Sequence, residues 1–67
     1  MNPMVVEIKT MDTRLGWWGQ ERTKRFVFPS FDPDNIGRAF ELVEPYEAVL
    51  ACWANGRLVY ERWTYRV

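Results

Sequence analysis

Histidine is absent from these 67 residues, and cysteine occurs once, at Cys52. A zinc site of the usual nitrogen and sulfur ligands is therefore excluded. So is a Ser-His-Asp or Cys-His nucleophilic arrangement. A lone cysteine cannot form an intramolecular disulfide. Small secreted domains normally carry several bridges, so a reducing, cytoplasmic setting is expected. Long apolar runs are missing as well. The longest, AVLACWA at 48–54, falls far short of the roughly 18 residues of a membrane span. The opening MNPMVVEIK has no basic stretch followed by a long apolar run, so no secretory signal is read there. No glycine-rich phosphate loop is present. The expectation is a non-enzymatic protein with no cofactor, no metal, no small-molecule substrate and no membrane partner.

Net charge is also lacking, with nine basic against nine acidic residues. The balance hides a segregation. Residues 32–47 hold Asp32, Asp34, Glu41, Glu44 and Glu47 against Arg38 alone, a net of −4, and the remainder of the chain is +4. What is abundant is aromatic side chain, 16% of the residues, including four tryptophans. A 67-residue chain is expected to form one small domain, residues 1–67, and to be marginal in buried surface. Each buried Trp or Phe hides about 150–250 Å², so most of these rings are expected in the core.

Two stretches alternate. In MVVEIKT, 4–10, Val6 and Ile8 fall on one side and Glu7 and Lys9 on the other. In TKRFVFPS, 23–30, Phe26 and Phe28 oppose Arg25 and Val27, and Pro29 should end the run. Both read as strands with one wet face. FDPDNIGRAFELVEP, 31–45, reads as a helix. Asp32 suits the N-cap and Pro33 the first helical position. Asp34 places negative charge at the positive end of the dipole. Phe31 and Ile36 stand at hydrophobic-staple positions. Ile36, Ala39, Phe40 and Val43 form one apolar stripe, and Pro45 is expected to stop the helix at Glu44.

Residues 46–67 read as a hairpin around Asn55-Gly56, a pair suited to the two positive φ angles of a type I′ turn. A regular ladder from that turn sets Cys52 opposite Val59, Trp53 opposite Leu58 and Ala48 opposite Trp63. Tyr46, Ala48, Leu50, Cys52, Val59, Glu61, Trp63, Tyr65 and Val67 would then face the helix. Val49, Ala51, Trp53, Leu58 and Tyr60 would face away, with Arg62 and Arg66 at the far end. The fold expected is α+β, ββαββ, a four-stranded, mostly antiparallel sheet with one helix packed on one face. Its element order is similar to that of β-grasp or protein-G-type domains, provided that the first and last strands meet in the sheet.

One helix covers one sheet face, and the other is expected to be too apolar for a bare surface. GWWG, 16–19, bears on this. Its tryptophans either fold back over the open face, with the glycines allowing close backbone approach, or present Trp17 and Trp18 to a partner. On an extended segment adjacent side chains point opposite ways, so one ring could be core and the other exposed. Trp, Tyr and Arg dominate interface hot spots. The function expected is therefore a protein-interaction module using Trp17, Trp18, Trp53, Leu58, Tyr60, Arg62 and Arg66. It would bind a larger protein stoichiometrically, as small phage or mobile-element inhibitors and regulators do, or bind a second copy as a homodimer. The alternative is a nucleic-acid-binding protein using the same basic, aromatic face; the zero net charge weighs against it.

Overall fold

The structure, a computed structural model, describes residues 2–14 and 19–62. The expected ββαββ order is present: β1 (Met4–Asp12), β2 (Glu21–Phe28), α1 (Asp34–Glu41), β3 (Glu47–Ala54) and β4 (Arg57–Glu61). All four strands lie in one open antiparallel sheet, ordered β2-β1-β3-β4. β1 thus meets β3 and not β4, which corrects the β-grasp layout.

The alternation of β1 puts Met4, Val6, Ile8 and Thr10 wholly inside the molecule. Val5, Glu7, Lys9 and Met11, half-buried, occupy the other face. β2 follows suit, with Phe28 opposite Met4 and Phe26 opposite Val6. Around these the core is completed by Ala39, Cys52 and Ala54, and by the half-buried Phe26, Phe28, Ile36, Phe40, Val43 and Val49.

The helix starts at Asp34 with Pro33 at the N-cap position, one residue later than expected. Pro33 already has helical angles (φ −54°, ψ −27°), and the Asp32 carboxylate accepts the Asp34 N–H at 3.0 Å. Phe31, however, stays 59% exposed, so only Ile36 of the expected staple joins the core. The helix also ends at Glu41, three residues before the expected stop. Leu42 and Val43 donate to carbonyls three residues back, at 3.1 and 3.2 Å, which tightens the last turn. The Glu44 N–H donates to the Glu47 side chain at 3.1 Å and so leaves the helical ladder.

Asn55 (φ 50°) and Gly56 (φ 81°) make the expected turn. Ala54 faces Arg57 and Trp53 faces Leu58. The regular ladder then fails. Cys52 faces Tyr60, and Val59 is left as the extra residue of a bulge. A second slip lies between β1 and β3: Lys9 faces Ala51 but Thr10 faces Val49, leaving Leu50 extra. A one-residue slip moves everything beyond it to the opposite face. Tyr60 and Val49, expected on the open face, therefore lie on the helix side. Ala48, expected under the helix, pairs with Met11 on the open side. The expected partnerships of Cys52 with Val59 and of Leu50 with the core are likewise replaced. Trp63, Tyr65 and Val67 lie outside the described residues.

Candidate functional site

The helix spans eight residues, about 12 Å of length and 10 Å of width, against a four-stranded sheet with strands about 4.8 Å apart. It packs mainly on β1. Among the described residues no helix or strand covers the face away from it. Across that face run Arg25, Glu7, Trp53 and Leu58, each opposite the next on β2, β1, β3 and β4. The next row is Thr23, Lys9, Ala51 and Glu61.

Trp53 is half-buried and borders two hollows. One, of about 320 Å³, is lined by Glu7, Thr23, Trp53 and Gly56. The other, of about 210 Å³, is lined by Lys9, Glu21, Leu50, Ala51, Trp53, Glu61 and Arg62. The small Ala51 between larger neighbours opens this second hollow. The face is not the apolar, cation-flanked surface expected. It carries Glu7, Glu21 and Glu61 among Lys9 and Arg25, and Lys9 pairs with Glu21 at 3.3 Å.

Of the seven residues singled out from the sequence, the structure brings three to this face. Trp53 and Leu58 are directly opposed, Leu58 being 49% exposed. Arg62 borders the second hollow, its N–H donating to the Leu50 carbonyl at 2.8 Å. Tyr60 is on the other side, edge-on to Phe40 with ring centroids 5.8 Å apart. Trp17, Trp18 and Arg66 lie outside the described residues. Gly19, which closes GWWG, is described. A Cβ there would overlap the Asp12 carbonyl, so this glycine serves close backbone approach. The basic residues are dispersed: Lys24 pairs with Glu47, Arg14 with Asp12 and Arg38 with Asp32.

A polar cluster beyond the helix, on its side of the sheet, was not anticipated. Glu47 accepts from Thr10 Oγ1 at 2.9 Å and pairs with Lys24 Nζ at 2.6 Å. It thereby ties β3 to β1 and β2. The Lys24 hydrogen bond, against the cost of burial, holds the Glu47 carboxyl below its ordinary value. Asp12 accepts from Arg14 N–H, Nε and Nη2 at 2.9, 3.1 and 2.8 Å, which lowers its pKa. The Arg14 guanidinium stacks 3.7 Å from the Tyr46 ring centre, and Thr13 N–H donates to the Tyr46 carbonyl at 2.9 Å. The signal was there: the alternation through Val6 and Ile8 continues to Thr10 and Asp12.

Cys52 is free and fully buried, and burial pushes its thiol pKa up, the opposite of a reactive thiolate. Among the described residues no group of three or more His, Cys, Asp or Glu could hold a metal ion, and no helix is long and apolar enough to cross a membrane.

Fold and face together define an α+β domain whose single helix covers one sheet face, the other being left open among the described residues. Comparison with protein-family models, with curated proteins and with solved structures finds no match to this chain.

Proposed function

We propose that this chain is a non-enzymatic protein-interaction module that docks a larger protein on the open sheet face. It acts there as a stoichiometric inhibitor or regulator in a reducing, cytoplasmic setting. The observation that carries this reading is the Trp53–Leu58 pair. A large ring and an exposed aliphatic side chain stand together on the face opposite the helix, with hollows beside the ring. Aromatic anchors surrounded by polar groups are the usual composition of an interface centre and rim. The mixed charges of the face suit a protein partner better than a polyphosphate, whose affinity rests on unopposed cations.

The test is capture from source-cell lysate with and without nuclease, using the wild type, Leu58→Glu and Tyr60→Ala. A defined protein retained by the wild type and by Tyr60→Ala, and lost with Leu58→Glu, supports the reading. Retention of nucleic acid alone before nuclease overturns it, as does a partner that ignores Leu58→Glu. If nothing is retained, a concentration-dependent dimer mass that Leu58→Glu abolishes assigns the face to a second copy.

A further inference from the structure

The two hollows beside Trp53 differ in charge. In the second, Lys9 and Arg62 are balanced by Glu21 and Glu61; the first is lined, among the described residues, by Glu7, Thr23, Trp53 and Gly56, a carboxylate without a cation. Glu7 stands directly opposite Trp53, a placement that brings Cβ atoms within about 5 Å. It is half-buried. Although Arg25 faces it from β2, the ion pairs of the described residues are Lys9–Glu21, Arg14–Asp12, Lys24–Glu47 and Arg38–Asp32; Glu7 is in none of them.

The geometry points to this hollow as a receptor for an arginine side chain of the partner, a reading that rests on the docking face proposed above. An indole face attracts a cation through its quadrupole, and tryptophan does so best of the aromatic residues. The Glu7 carboxylate beside it supplies the counter-charge in the same hollow. A guanidinium meets both demands at once, because it is planar, stacks on an aromatic face and offers a fork of N–H donors to a carboxylate. The Thr23 hydroxyl gives a further acceptor. A hollow of about 320 Å³ has room for one such side chain. The partner segment is therefore basic at this point, and the charge of Glu7 selects it against a neutral side chain of the same shape.

The probe is the peptide acetyl-Gly-Arg-Gly-amide, with its citrulline counterpart as the neutral isostere. Both are titrated against the full chain at low salt and followed by NMR, with the Trp53 indole resonance assigned from Trp53→Phe. Saturable shifts are expected at the Trp53 indole N–H and the Thr23 and Gly56 amides. Citrulline should bind about five- to thirty-fold more weakly, the range of a partly desolvated cation–π contact. Glu7→Gln should weaken arginine binding to a similar extent while leaving the folded spectrum intact. Equal responses to the two peptides, no effect of Glu7→Gln, or no shift at these resonances at millimolar peptide overturns the inference.

A displayed random-peptide library selected on the chain separates this failure from failure of the docking reading. Enriched peptides that are basic and lost with Glu7→Gln support both. Enriched peptides that carry no basic residue and need Trp53 keep the docking face and overturn the arginine site. No enrichment, together with no arginine shift, overturns both.

Discussion

The ring of Tyr60 meets the ring of Phe40 edge-on, 5.8 Å between centroids at 80°, and so joins the last described strand to the single helix. Such pairs contribute about 0.5–1.5 kcal/mol beyond the area they bury. A double-mutant cycle with Phe40→Leu and Tyr60→Leu, read by denaturant unfolding, should give a coupling energy in that range. Tyr60→Ala alone should lower stability by roughly 1–3 kcal/mol and leave partner binding in place. Zero coupling would return Tyr60 to the open face.

Asn55 acts in two ways. Its φ of 50° makes the turn, and its side chain accepts the Val5 N–H at 2.6 Å while its own N–H donates to the Val5 carbonyl at 2.8 Å. Asn55→Gly keeps the turn and loses the side-chain bond, a cost of about 0.5–1.5 kcal/mol. Asn55→Ala adds the left-handed penalty of about 1–2 kcal/mol. Thermal unfolding of the two variants should rank them in that order below the wild type.

Two glycines should respond oppositely to the same change. At Gly37, in the helix, a Cβ meets nothing within 4 Å, so Gly37→Ala should raise stability by about 0.5–1 kcal/mol. At Gly19 the added Cβ overlaps the Asp12 carbonyl, and the backbone has to move. Gly19→Ala should lower stability by roughly 1–3 kcal/mol. Equal melting temperatures for the two variants would contradict this packing.

Glu47 predicts an acid dependence. Its folded pKa lies below the ordinary value of 4.5, chiefly through Lys24. Its contribution is therefore complete above about pH 4.5 and is lost as the pH falls through the lower folded value. Glu47→Gln should flatten the stability profile below that pH. Lys24→Met should move the acid transition up, toward 4.5, because the lowering cation is gone while burial remains. Acid titrations followed by circular dichroism at the two variants measure this directly.

What could be read from the residues alone is local. Alternation in β1 and β2, the Asp32–Pro33 helix start, the Ile36–Phe40 stripe and the Asn55-Gly56 turn each follow from sterics and hydrogen bonding within a few residues. They carry the element order and the inner faces of the first two strands. The site was legible only as far as the Trp53–Leu58 pair, two steps from the turn. Beyond Leu58 and before Ala51, the faces depend on the bulges at Val59 and Leu50; the first breaks the hairpin's own ladder, and the second is decided by pairing with β1, far away in the chain. That pairing also chose β3 over β4 as the neighbour of β1. It drew Glu47 to Thr10 and Lys24, and left Glu7 beside the Trp53 ring. Each of these contacts joins residues from 23 (Lys24 and Glu47) to 48 (Val6 and Ala54) positions apart. No periodicity within a strand encodes such a closure, and only the assembled sheet settles which of the competing registers buries its apolar side chains.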